Sequence, residues 1–364
     1  MTTQDPALQH LIDRIADARS RLAALRIVGG DTKAWYGGMP HGEALDTRGL
    51  AGISSYEPTE LVVTARAGTQ LTELEAVLAE KGQYLPFEPP RFAAPGTVGG
   101  MVASGLSGPA RASVGALRDF VLGATMLNGR GQLLSFGGQV MKNVAGYDVS
   151  RLLAGSLGVL GVICEVSLKV LPMPLATATL RFEMDQSHAL ASLNALAGKP
   201  LPMNASAWWD GMLVIRFSGA QAAVEAACRR LGGQRIDDEM ASAFWQGLRD
   251  QHDPFFIRAR QSVQSGGALW RLSLPPTAPP LDLEGEQLIE WGGAQRWLVT
   301  GTPAAAVRAA AEQRKGHATL FMATDKSMGV FAALSSPLQH IHRELKRAFD
   351  PDGLFNPGRL YPDL

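Results

Sequence analysis

The sequence predicts an α+β protein of two domains. Three observations carry that expectation. A chain of 364 residues exceeds what one hydrophobic core serves, because cores stop growing and chains divide beyond roughly 250 residues. Strand and helix patterns alternate as far as Gly82, a stretch dense in glycine and alanine follows from Pro95, and Pro172 and Pro174 close the unit. After those prolines the rhythm changes to short apolar strands interleaved with amphipathic helices, the pattern of helices packed on an antiparallel sheet. The expected division is therefore 1–173, itself split near 90, then 174–325, then a C-terminal helix and tail over 326–364 that packs back on the first domain.

Each element has a local reason. Leu8, Leu11, Ile12, Ile15 and Leu22 recur at helical spacing, and Ala24 to Val28 then turns to strand. Leu61 to Thr69 reads as a strand; LTELEAVLAEKG sets Leu71, Leu74, Val77 and Leu78 on one helical face and stops at Gly82. Val121 to Leu127 and Gln132 to Phe136 read as paired strands joined through Asn128 and Gly129, residues that tolerate the positive φ of a tight hairpin. In the second domain ATATLRFEM, SAWWDGMLVIRFSG, ALWRLSLPP, QRWLVTG and ATLFMAT read as strands. SHALASLNALAG, QAAVEAACRRLGG, MASAFWQGLRDQ and TPAAAVRAAAEQRKG read as helices, and the tail SPLQHIHRELKRAFDPDGLFNPGRLYPDL as one helix followed by two proline turns.

Composition narrows the function. Thirty-four basic residues balance thirty-four acidic ones with no long run of either sign, so neither nucleic acid nor an anionic membrane surface is an indicated partner. The start MTTQDPALQH lacks the basic and apolar regions of a signal peptide, and the longest apolar run, Leu152 to Val166, is too short to span a bilayer. Cys164 and Cys228, without a CxxC or a neighbouring His, read as buried core thiols. Two separated cysteines cannot supply the four ligands of an iron-sulfur cluster. A cytoplasmic protein is expected.

Three glycine-rich segments stand out: IVGGDTK (Ile27 to Lys33), PGTVGG (Pro95 to Gly100) and ASGLSGP (Ala103 to Pro109). Glycine is needed where main chain approaches a ligand closely, and a tight turn with unpaired N–H groups suits an anion. Three such loops suggest a diphosphate. Neither G-x-x-x-x-G-K-[ST] nor a G-x-G-x-x-G opening the first helix is present; GSLGVLG lies late and runs directly into the strand VICEVSLKV, which disfavours a Rossmann domain.

The series IVGGDTK, PGTVGGMVASGLSGPARASVGALRDFVLGATMLNGRG and KNVAGYDVSRLLAGSLGVLGVICEVSLKVLP resembles the FAD-binding domain of the vanillyl-alcohol oxidase and p-cresol methylhydroxylase superfamily, in order and with compatible spacing. The resemblance implies two α+β subdomains holding FAD between them, the flavin ring projecting toward a cap domain, here the antiparallel sheet-and-helix unit. NVAGYDVSRLLAGSLGVLGV, LWRLSLPPTAP and FDPDGLFNPGRLYP further resemble the smaller FAD-binding subunits of bacterial glycolate oxidases. That likeness, over nearly the whole chain, implies a complex that oxidises glycolate to glyoxylate with a larger FAD-binding subunit and an iron-sulfur subunit. It also implies a cytoplasmic location, or a peripheral one at the inner membrane through those partners.

Under the resemblance Gly29, Gly30, Asp31 and Thr32 wrap the pyrophosphate, with Lys33 adding positive charge. Pro95, Gly96, Thr97, Gly99, Gly100, Ser104 and Gly105 form the opposing wall, and Gly158, Gly161 and Val162 let the backbone lie close to the adenosine or the flavin edge. A solvated loop lysine is the competing reading for Lys33, and an ion pair or helix cap that for Asp148 and Arg151 beside Tyr147. Relatives that attach flavin covalently do so through a His or Cys in these loops. The first loop here offers Asp31, Thr32 and Lys33 instead, so noncovalent FAD is expected.

Oxidising a 2-hydroxy acid requires a cation for the carboxylate, a base for the hydroxyl proton and close approach to the flavin. Arg258, Arg260 and Arg271, read as strand arginines, are candidates for the first. The larger relatives carry a histidine pair near a metal, whereas here His317 stands alone and His340 and His342, two apart on a helix, point in different directions. No metal site is expected and the catalytic residues stay unassigned. A self-sufficient dehydrogenase of the D-lactate type and a non-catalytic structural subunit remain as alternatives. Trp208, Trp209 and Trp297 read either as an association surface or as filling of the cap's own core.

Overall fold

The computed structural model describes residues 5–138 and 148–364. The Pro6–Arg21 helix opens on Asp5, whose carboxylate accepts the amides of Ala7 and Leu8, and buries Leu8, Leu11, Ile15 and Ala18. That face covers a parallel pair, Leu25–Val28 beside Glu43–Asp46. The C-terminal tail adds to the same pair: the Leu25 amide donates to the Leu354 carbonyl, and the Asn356 amide to that of Leu25.

A five-stranded sheet stands next to it, in the order Ile53–Glu57, Val62–Arg66, Val162–Lys169, Val121–Leu127 and Leu133–Gly137, antiparallel throughout. The Leu71–Glu80 and Val98–Ser104 helices pack on it through Leu71, Leu74, Leu78, Met101 and Val102. Residues 176–322 contribute a separate eight-stranded antiparallel sheet. Alternation along its strand Met212–Gly219 sends Leu213, Ile215 and Phe217 to one core and Val214 to the other.

Four local readings differ. The strands Val121–Leu127 and Leu133–Gly137 are joined by a five-residue loop whose positive φ falls on Gly131 rather than on Asn128 or Gly129. SAWWDGMLVIRFSG is not one strand but two, Met203–Trp209 and Met212–Gly219, because Asp210 and Gly211 both adopt positive φ and close a two-residue hairpin. The strand Glu286–Glu290 has polar ends that hid it, and it sits mid-sheet between Met203–Trp209 and Gln295–Thr300. Pro254–Gln264 is a helix, opened by Asp253 accepting the Phe256 amide and by Pro254, so Arg258 and Arg260 are helical rather than strand residues.

Aromatic rings tie the segment after the first glycine loop to the eight-stranded sheet. Trp35 and Tyr36, just beyond the first glycine loop, contact Phe321 at ring-centroid distances of 5.1 and 5.3 Å, and Phe321 contacts Trp297 at 4.7 Å. Such edge-on contacts add to the burial of the rings. Trp297 is thus buried at this junction and is no association surface. Trp208 and Trp209 are half-buried, their indole N–H groups donating to the Met184 carbonyl and to Glu286.

Candidate cofactor site

The first glycine loop leaves the parallel pair and faces the Val98–Ser104 helix across a cleft of about 850 Å³, open mouth included. Gly29, Gly30, Asp31, Thr32 and Lys33 line one side, Thr97, Gly99, Gly100 and Ser104 the other, and Gly158 and Gly161 the end. Among the described residues, none of the backbone N–H groups from Gly29 to Lys33 has a hydrogen-bond partner. Asp31 adopts φ 53° within that run. A succession of unpaired amides in such a turn forms a concavity suited to an anion.

The opposite wall differs. Val98 and Gly99 donate their amides to the Thr69 and Ala67 carbonyls, and Gly100 donates to Thr97 Oγ1 at 3.2 Å. It supplies shape rather than free donors.

The glycines also serve another purpose than the one expected. A Cβ added at Gly30 would fall on the Pro95 carbonyl, 2.6 Å from its carbon; one at Gly99 would lie 2.8 Å from Ala67 Cβ; one at Gly158 would meet Asn356 Nδ2 at 2.6 Å. These segments lack side chains because they pack on one another, and the cleft is what their convergence leaves. Four expected residues lie behind its surface. The Pro95 carbonyl backs Gly30, Gly96 accepts the Leu71 amide, Gly105 ends its helix at φ 63° against Gly155, and Val162 is fully buried at the start of its strand.

Two lining residues escaped the sequence reading because they lie far along the chain. Asn356 accepts the Ile27 amide at 2.8 Å and donates to the Leu157 carbonyl at 2.6 Å, holding together the two turns that face each other across the cleft. Arg359 donates to the carbonyls of Ala34, Tyr36 and Gly38, and its guanidinium lines the cleft. Buried Lys346 pins this tail by donating to the Val159 and Phe355 carbonyls and to Asp350. The motif FNPGR was the available signal, since a lone arginine after a proline turn has no local partner.

Residues 7–137 match a family described as FAD binding domain. Over 356 residues the chain is 47% identical to the glycolate oxidase subunit GlcE of Escherichia coli (strain K12), 98% of each chain being covered. The chain belongs to the GlcE family.

More distant likenesses cover less. A D-lactate dehydrogenase of Anaerostipes hadrus is 34% identical over 222 residues, 60% of this chain and 45% of that one. The glycolate oxidase subunit GlcD of Bacillus subtilis (strain 168) is 29% identical over 152 residues, covering 41% and 32%. An alkyldihydroxyacetonephosphate synthase shares the fold at a TM-score of 0.64 and 14% identity, over 97% of this chain and 76% of that one. The α+β fold of this GlcE-family member is accordingly of the p-cresol methylhydroxylase type, and the protein is an FAD-dependent oxidoreductase.

Lys33 of this GlcE-family chain is mostly buried, its ammonium 5.7 Å from the centre of the Phe92 ring, and burial lowers its pKa from 10.5 to about 8. In the empty protein the charged form is disfavoured, so this group opposes folding below about pH 8 and the cost fades as pH rises toward 10.5. A diphosphate favours the charged form. FAD affinity is therefore expected to fall as pH rises through about 8, and Lys33→Met to flatten that dependence, as fluorescence titrations of the FAD-free protein would measure.

The remaining candidates separate. Arg258 pairs with Glu286 and stacks over Trp209, and Arg260 donates to the Gln251 carbonyl, so both are satisfied within the residue 176–322 unit. Arg271 instead reaches the Tyr36 hydroxyl at the junction. Asp148 pairs with Arg151 at 3.0 Å; Tyr147 and the preceding part of KNVAGY lie outside the described residues. His340 is exposed and His342 stacks on Tyr361. Among the described residues no three His, Cys, Asp or Glu side chains gather as a metal site, and no helix is long and apolar enough to cross a membrane. Burial pushes the Cys164 thiol up to about 12, whereas Cys228 is only half-buried, contrary to expectation.

Proposed function

We propose that this chain is the FAD-binding E-type subunit of a heteromeric glycolate oxidase, acting on glycolate together with a larger FAD-binding subunit and an iron-sulfur subunit. The observation that carries the reading is the donor set of the cleft. Five amides from Gly29 to Lys33 without a partner among the described residues belong to a loop that lines one space with Lys33 and with Arg359, whose charge adds to the site while its Nη atoms donate to carbonyls, and two linked phosphates are the groups that such a set suits. The Thr97–Ser104 wall, with Gly158 and Gly161, then gives shape to the adenosine and ribityl parts. Residues 174–325 act as the cap over the flavin end, and the tail over 326–364 packs back on the cofactor-binding unit.

FAD, when bound, would supply redox capacity that supports or relays electrons while the larger flavin subunit oxidises the acid. This chain's own residues hold the diphosphate at the first glycine loop and orient the cofactor toward the junction, where the Trp35, Tyr36 and Phe92 rings pack on one another. With only Cys164 and Cys228, the chain passes electrons to a partner rather than to a cluster of its own. A cytoplasmic location, peripheral to the inner membrane through those partners, belongs to the same reading.

Noncovalent attachment follows from the lining, which contains neither His nor Cys. Acid precipitation of the purified protein is expected to release all yellow chromophore into the supernatant, where its spectrum and mobility identify FAD. Colour retained in the washed pellet would contradict it, and a colourless protein that takes up no added FAD would overturn the whole reading.

A further inference from the structure

We propose that the cavity between Arg111 and Arg271, at the junction of the two large sheets, binds the carboxylate of a small organic acid. The acid's class rests on the glycolate oxidase reading; the site itself stands on its own geometry. The cavity, about 890 Å³ with its open mouth included, is lined by Ser107, Arg111, Arg118, Arg271, Gln295, His317 and Thr319 among others. Arg118 has Asp119 beside it; the other two cations come from opposite sides. Arg111 opens the short Arg111–Val114 helix after the third glycine segment, and Arg271 lies within the Ala268–Ser273 strand.

Neither guanidinium has a carboxylate partner among the described residues, although Arg66, Arg151, Arg216 and Arg249 each have one. Aromatic faces hold them in place instead. Arg111 lies 4.4 Å from the Trp291 ring centre, and the Trp291 indole is itself fixed by donating to the Gly108 carbonyl at 3.1 Å. Arg271 donates to the Tyr36 hydroxyl at 3.1 Å and lies over the Phe321 ring at 5.5 Å. Stacking leaves the edge of each guanidinium, with its forked N–H donors, free to face the cavity.

Like charges accumulate there, opposed only in part by Asp119. Burial, followed by the charges of Arg118 and Arg271, pushes the Arg111 pKa below its usual value. A bound anion removes that repulsion and forms charge-assisted hydrogen bonds with both forks. A carboxylate matches the planar, two-pronged geometry, and the cavity has room for the short chain of a two- to four-carbon acid. Among the described residues no carboxylate side chain lines it to act as a competing occupant.

Calorimetric titration with oxalate, a two-carbon dicarboxylate that has no hydrogen to lose, tests the site in the FAD-loaded protein. Oxalate is expected to bind, and Arg111→Gln and Arg271→Gln each to weaken it at least tenfold, with partial recovery in Arg111→Lys. Arg229→Gln, an exposed arginine outside the cavity, is expected to change affinity less than threefold. Unchanged affinity in Arg111→Gln at wild-type thermal stability and FAD content overturns the proposal, whether or not Arg271→Gln folds. So does oxalate binding to the FAD-free chain that disappears on loading FAD, since the cavity would then belong to the flavin. Failure to hold FAD at all sinks the cofactor reading separately, and titration of the FAD-free chain still decides the carboxylate site.

Discussion

Gly30→Ala is expected to leave the protein folded but without FAD. The added methyl group would sit on the Pro95 carbonyl, 2.6 Å from its carbon and closer to its oxygen, where real side chains keep at least 3.0 Å. That carbonyl cannot step aside. Its segment is tied down by the Leu71 amide donating to Gly96, the Val98 amide donating to Thr69 and the bridge between Gln70 and Thr97. The first glycine loop must therefore swing away and carry its unpaired amides with it. Hydrogen bonds weaken steeply once donor and acceptor separate beyond about 3.5 Å, and several amides move together, so a loss of affinity on the order of a hundredfold or more follows. FAD-to-protein ratio after gel filtration measures it, and unchanged far-ultraviolet circular dichroism shows that both sheets remain. Gly301→Ala, outside the cleft, is the control. Its added atom meets nothing within 4 Å. Full FAD occupancy in Gly30→Ala would remove the loop from the site.

The second large effect concerns turnover. The purified single chain is expected to hold FAD yet reduce a dye with glycolate or D-lactate at least a hundredfold more slowly than the assembly reconstituted with the larger flavin subunit and the iron-sulfur subunit. General base catalysis typically contributes 10²–10⁴-fold, and among the described residues no histidine pair or metal cluster is present to supply it. His317, at the edge of the junction cavity, has its pKa lowered first by burial and then by Arg271, which makes it a weaker base than a free histidine. Steady-state dye reduction, single chain against assembly at equal FAD content, decides the matter. Full activity in the single chain would make it a self-sufficient dehydrogenase.

Much of the arrangement was legible because it is local. Periodicity marked the Pro6–Arg21 and Leu71–Glu80 helices, and the change of rhythm after Pro174 coincides with the start of the eight-stranded sheet at Ala176. The errors have equally local causes. In SAWWDGMLVIRFSG the apolar run drowned the Asp210–Gly211 turn, and in DPFFIRARQSV the β-branched and aromatic content masked the Asp253 cap and Pro254 start. Within the cleft, the first glycine loop was readable from its turn residues, but the true neighbours of each glycine were not. Gly30 answers to Pro95 and Gly158 to Asn356, contacts that exist only after the chain has closed on itself. Arg111 and Arg271 illustrate the same limit. Nothing in PARASV or LWRLS marks a guanidinium that will lack a counter-ion.

The tail that closes the cleft sets a timetable for the cell. Ile27 and its partner Asn356 are separated by 329 positions, and ribosomes add roughly 5–20 residues per second. An emerging polypeptide thus waits roughly 15–65 s with its phosphate loop made but unbraced, an interval vastly longer than the nanosecond-to-microsecond movements of a free loop. The brace is consequently completed late in the life of each molecule, following release of Asn356 and Arg359 from the exit tunnel. A message cut short upstream of Asn356 would yield a polypeptide with its glycine loops intact and nothing to brace them.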